Sequence, residues 1–215
     1  MSSEAVPRLD RRHARRAATI DQLIDVAVQV MAEYGVAGLS LGEVARRMGI
    51  RPPSLYVYFD SKHAVYDAVF ARGWEDVARA MDSQLPDPEG HDDLRAYLLD
   101  FARAFVRWNV EHPVHAQLMS WRPVPGYEPS EQAYAPAVIA FRRGQDVLGR
   151  LQALGLLSSE IPLVELMQVW TVLISGAISQ QLANAPDESF EEGAFTSLLP
   201  QLVAMYLALY SPPSM

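Results

Sequence analysis

Between positions 51 and 62 the segment RPPSLYVYFDSK sets three hydroxyl side chains, Ser54, Tyr56 and Tyr58, beside two cations, Arg51 and Lys62. Hydroxyls and cations are the groups that hold phosphate oxygens, whereas arginine and short polar or apolar side chains read base edges. Catalysis would need other constellations. The chain has no nucleophile elbow, no phosphate-cradling loop and no paired acid and base, so enzyme activity is not expected. Lys62 is informative by its position. In the first turn of a helix a cation opposes the helix dipole, so a phosphate contact explains it better than a contribution to stability.

The flanking residues are those that would hold such a site in shape. Ser40 and Glu43 read as an S-x-x-E capping box, with Leu39 and Val44 as the accompanying apolar staple. The helix they open runs to Met48. Gly49-Ile50-Arg51 is a three-residue turn. Pro52 and Pro53 can open the next helix, because first-turn N–H groups have no intrahelical partner. That helix ends near Phe59, and Asp60 or Ser61 caps a long one to about Leu85. Ala45 is small where the two short helices cross, and Ile50 and Leu55 fill the space between them. Helix, three-residue turn, helix is the arrangement whose second helix enters the DNA major groove.

Upstream, the apolar stripe Ile20, Leu23, Ala27, Val30, Met31 and Tyr34 predicts a helix from Ile20, capped by Thr19 with Gln22 as box partner and stopped at Gly35. Downstream, apolar residues recur at three and four with no alternation of period two, so the fold class is all-α with about nine helices. PDPEGHDD (86–93) breaks the chain. Further helices are expected at about 94–110, 113–119, 132–154, 163–184 and 191–210, with a Pro-rich loop at 122–130.

Charge divides the chain. It carries a net −8, with 17 arginines and a single lysine among its 18 basic residues. Residues 1–62 hold nine basic and seven acidic side chains, and residues 63–215 hold nine and 19. Only the first segment could approach a polyanion without strong repulsion. Two domains follow: 1–62, a DNA-binding unit, and 63–215, a larger acidic helical body. Five of the arginines lie in RLDRRHARR (8–16), which reads either as an arm for the minor groove or as a solvated tail. The absence of cysteine suits a reducing cytoplasm, and no secretory signal pattern opens the sequence.

LSLGEVARRMGIRPPSLYVYFDSKHAVYDAV (39–69) resembles the DNA-binding signature of the TetR family of bacterial transcriptional regulators. The positions that carry the likeness are Ser40, Val44, Ala45, Gly49, Ile50, Ser54, Leu55, Tyr56, Phe59 and Lys62. The resemblance implies phosphate contacts from Ser40, Ser54, Tyr56, Tyr58 and Lys62, and base contacts from Arg51, Pro52, Pro53, Ser54 and Val57. It departs at Gly42, where some members carry a base-reading side chain, and at Tyr58, where histidine is commoner. The resemblance also implies a homodimer on a pseudo-palindromic operator, acting as a repressor, and a small apolar or aromatic effector held in the body. Phe105, Trp108, Trp121, Tyr127, Phe141 and Trp170 are the aromatic candidates for that pocket, with Asn109, Gln168 or Thr171 as polar partners. The alternative is a regulator without small-molecule input, either a constitutive repressor or an activator that contacts another protein.

No cofactor is expected. Glu111, His112 and His115 resemble a sparse metal cluster but have no further ligand at closing distance, so no metal site is expected. Residues 166–186 and 193–215 carry no charge. Gln168, Gln180, Gln181 and Asn184 weaken a membrane reading of the first, and Pro200 and Gln201 that of the second. Burial in a core and in a subunit interface formed by the last two helices accounts for both.

Overall fold

Residues 8–84, 90 and 92–212 are described by a computed structural model of the chain. Nine α-helices and no strand occur among them. They are α1 (Arg8–Tyr34), α2 (Leu41–Arg47), α3 (Pro52–Leu55), α4 (Lys62–Gln84), α5 (Leu94–Glu111), α6 (Pro113–Ser120), α7 (Glu131–Ala153), α8 (Leu163–Asn184) and α9 (Leu199–Tyr210). The break expected at 86–93 lies mostly outside the described residues.

The helix starts follow local chemistry. Ser40 caps α2, its hydroxyl oxygen accepting from the Glu43 N–H at 3.4 Å. Asp93 caps α5 and Ser130 caps α7 in the same way. Gly35 and Gly49 take φ +79° and +65°, left-handed values that end α1 and turn the chain after α2. Proline opens α3 and α6, where a missing N–H costs nothing.

Five expectations change. The first helix begins at Arg8, not Ile20, because Arg and Ala are strong helix formers and continue it upstream of its apolar stripe. Thr19 is therefore not a cap; its hydroxyl donates to the Arg15 carbonyl at 2.8 Å inside the helix. Tyr34, expected to face inward, is exposed. α3 is a single turn that stops at Leu55 rather than near Phe59. The last helix begins at Leu199, not Glu191. Gln181, fully buried, accepts from the N–H groups of Phe195 (3.0 Å) and Thr196 (3.3 Å) and donates to Ala185 O (2.6 Å). These bonds hold the chain before α9 in a loop and a short 3-10 turn.

Two apolar cores result. One joins α1, α2 and α3 to the first part of α4, then continues into α6, the loop around Val124 and Tyr127, and the start of α7. The other packs α5 against the end of α7, α8 and α9. The boundary expected at 62/63 falls at the first residues of α4. That helix serves both units: Val65 and Tyr66 lie under the small domain, and Trp74 and Val77 carry the same core on toward the larger one.

Candidate nucleic-acid interface and effector cavity

The turn between α2 and α3 is closed by a bond from Ile50 N–H to Ala45 O at 3.0 Å, and Val44, Ala45 and Leu55 are buried beneath it. This packing turns the next residues outward. Arg51, Pro52, Pro53, Ser54, Tyr56 and Val57 are all exposed, Val57 at 65%. An apolar side chain left that open on a small domain is available for contact with a thymine methyl. Ser40 is also exposed, and although its oxygen caps α2, its hydroxyl proton remains free to donate.

Two of the expected contacts have intramolecular partners. Lys62 Nζ donates to the Ala37 carbonyl at 3.2 Å and sits 5.6 Å from the Tyr66 ring centre. Two of its three protons remain for a phosphate, so it also ties α4 to the loop before α2. Tyr58 is half-buried with the Arg16 guanidinium 5.3 Å over its ring, and Arg16 Nη1 donates to Val57 O at 3.1 Å. No local pattern in the sequence marks this link between α1 and the turn after α3.

The small domain is braced by charge. Arg47 reaches Glu33 on α1 (2.5 Å) and Glu43 on its own helix (2.7 Å). Glu43 also pairs with Arg46, and bonds from Arg46 and Arg47 hold its carboxyl at about 2. The side-chain half of the capping box is therefore not made: Glu43 turns to the arginines rather than back to Ser40.

α4 is fixed to the small domain at several points. Tyr66 OH donates to Val36 O at 2.8 Å in the core, with burial pushing its phenol up to about 12. Arg72 pairs with Asp25 of α1 at 2.8 Å. Asp67 accepts from Tyr127 OH (2.9 Å) and Ser130 N–H (3.2 Å). At Gly73, α4 crosses α6 so closely that a Cβ would lie 2.7 Å from Met119 Sδ and 3.1 Å from His115 Cδ2.

Further along the same helix, a cavity of about 620 Å³ opens between α4, α5, α7 and α8. A volume of that order suits a drug-sized molecule. Trp74, Phe105 and Phe141 form one aromatic wall, with the Trp74 ring 5.3 Å from Phe141 and 6.5 Å from Phe105. Phe101 and Trp170, 5.9 Å apart, form another. The mouth carries Asp82 and Arg143, which pair at 2.6 Å.

Three of the six aromatic candidates, Phe105, Phe141 and Trp170, line this cavity. The other three do not. Trp108 stacks on His112, its carbonyl bonded to His112 Nδ1 at 2.8 Å, beside buried His115. Tyr127 packs on Tyr66 and pins its loop to α4 through Asp67. Trp121 is a partly exposed residue that ends α6. Of the polar candidates, Thr171 lines the cavity, Gln168 is exposed, and Asn109 is buried with its amide on Phe105 O at 2.9 Å. The reading missed Trp74, whose indole N–H is buried without a partner. Its spacing from Phe70, four residues before, and Val77, three after, was the available signal.

Residues 23–69 match the family described as bacterial regulatory proteins of the tetR family, and residues 98–198 match the tetracyclin repressor-like C-terminal domain. The HTH-type transcriptional regulator Rv1816 of Mycobacterium tuberculosis is 27% identical over 120 residues, 56% of this chain and 51% of that protein. The chain thus spans about half the length of the curated relatives it matches. The fatty acid degradation regulator FadR from Bacillus halodurans shares the fold with a TM-score of 0.69 at 16% identity, over 87% of this chain and 94% of its own. TetR-Q116A from Acinetobacter baumannii, solved in complex with minocycline, does so at 0.55 and 24%, over 88% and 97%. A helix-turn-helix that turns its polar residues outward, joined through one long helix to an all-α body that matches the family's second domain, places this chain in the TetR family of bacterial DNA-binding transcriptional regulators.

Proposed function

We propose that the protein is a cytoplasmic homodimeric repressor that occupies a pseudo-palindromic operator and is released by a flat, apolar or aromatic effector. The observation that carries this reading is the sharing of α4. Its first turn grips the loop before α2 through Lys62 and Tyr66, and its later turns present Trp74, Val77 and Met81 to the cavity. A molecule seated against Trp74 must press on the helix that sets the tilt of the DNA-binding unit. A structural neighbour was solved with minocycline bound, which supports a small-molecule input. The cavity favours this reading over a regulator with no effector, for which a filled core would be expected.

The apolar faces of the last two helices support the dimer. Val164 and Val172 on α8, with Met205 and Leu209 on α9, are more than half exposed, and neither helix carries a charge after Glu165. α8 is the one described helix long and apolar enough to cross a membrane, yet its inner side packs Leu166, Trp170, Ile174 and Ile178 into the core. A second copy covering the outer side would place two recognition helices for half-sites about 34–36 Å apart, or a multiple of that.

The test begins with selection of genomic fragments by the purified protein, which identifies an operator. Planar aromatic compounds are then titrated with and without that operator, following tryptophan fluorescence. To empty a nearly full operator the effector must favour the released shape by about 5 kcal/mol, and DNA must weaken effector binding by the same factor. Binding that quenches tryptophan but is indifferent to DNA would leave the cavity a real site and remove the induction mechanism.

A further inference from the structure

The basic segment before the helix-turn-helix is helical, and that changes what it can do. A helix with its side chains is about 10–12 Å across, whereas the minor groove is about 6 Å wide. Of the two readings of this segment, the minor-groove arm does not fit while it stays folded. A helix can still lie along the backbone that borders a groove.

The orientation of that helix is set by Arg16. Its guanidinium is held by Val57 O (3.1 Å) and the Tyr58 ring, directly after the exposed residues of α3. Arg12 and Arg15 lie four and one residues before it, so Arg12, Arg15 and Arg16 share one face of α1. Arg12 is displaced about 6 Å beyond Arg16 along the axis, outward from the small domain. Both Arg12 and Arg15 are exposed, and residues 11–20 contain no acidic side chain. The body behind is acidic, so this is a cationic edge at the end of the molecule that faces DNA.

We propose that the first turns of α1 form a rigid extension whose Arg12 and Arg15 hold backbone phosphates flanking the bases faced by α3, with Arg16 as the positioning residue that fixes its direction. This rests on the DNA-binding role of the helix-turn-helix and extends its footprint outward. Phosphate contacts carry no base information, so the extension adds affinity to every sequence alike and strengthens the salt dependence.

The experiment measures binding of the full chain to a mixed-sequence duplex across a salt series, with wild type, the double variant Arg12→Ala/Arg15→Ala, and Ala17→Pro. Wild-type binding with a steep salt dependence is the control for the DNA-binding role; without it that role fails, and this proposal with it. The double variant is expected to bind more weakly, with log K against log salt flattened by about two units, and with unchanged circular dichroism. Ala17→Pro keeps every charge but breaks the helix, and is expected to reproduce most of the loss. An unchanged slope in the double variant overturns the proposal while leaving the helix-turn-helix role intact. Wild-type affinity in Ala17→Pro overturns it too, since charge without helix would then suffice. So does a loss that depends on whether the flanking pairs are A·T or G·C, which is the mark of minor-groove insertion.

Discussion

Single side chains in this protein serve two purposes at once, and substitutions should separate them. Lys62 is bonded to Ala37 O yet keeps two of its three protons for a phosphate. Lys62→Ala is expected to weaken binding to all sequences and to reduce the salt slope by about one unit, checked by titration across salt concentrations. An unchanged slope would leave the ammonium a purely internal tie. His115 behaves differently. Burial, reinforced by Arg72 and His112, pulls its imidazole down to about 4 from the ordinary 6.5. Because the unfolded chain binds that proton more readily, stability should rise with pH between about 4 and 6.5 and be flat above. The effect amounts to about 3 kcal/mol across that window. Urea unfolding at pH 5 and pH 7.5, compared with His115→Gln, measures it; an equal pH dependence in the variant would assign the effect elsewhere.

Helix contacts decide how a signal could travel. α6 touches α4 at Gly73, where the missing side chain leaves room for His115 and Met119, and Met119 also lines the cavity. Gly73→Val places methyl groups where His115 Cδ2 and Met119 Sδ already stand. It is expected to cost about 1–3 kcal/mol by overpacking, read by denaturant unfolding, and to change tryptophan emission through Trp74. A variant as stable as wild type would mean that α4 and α6 part readily. The apolar repeat in the sequence placed both helices, and α8 at Leu163–Asn184 coincides with the structure. It could not place the start of α1, because Arg and Ala prolong the helix through residues 12–18, which are exposed, nor that of α9, because Gln181 acts from another helix.

For the assembled molecule the distinction is between a face turned to its own core and one turned to a partner. Leu202 is half-buried against the second core, so a charge there would strain the fold as well as an interface. Met205, 62% exposed on the same helix, is the better probe. Met205→Arg is expected to give folded monomers that no longer hold an operator, because the added charge appears twice across a two-fold axis. Light scattering with circular dichroism distinguishes splitting from unfolding. A Met205→Arg dimer with normal DNA affinity would put the interface on another face.

The DNA-binding unit was legible before any coordinates because its information is local. A cap three residues before its donor, a glycine at the turn, two prolines at a helix start and a hydroxyl-rich surface lie within about two dozen consecutive positions, and each acts on near neighbours. The all-α class was legible for the same reason, since the period of apolar residues is set by the helix itself. The cavity was not. Trp74, Phe101, Phe105, Phe141 and Trp170 come from four helices, and periodicity marks all inward aromatics alike, so Trp108 and Tyr127 read the same as those that line it. Which of them fill a core and which border open space depends on how helices far apart in the chain cross, and that follows from packing between their surfaces rather than from any one stretch of sequence.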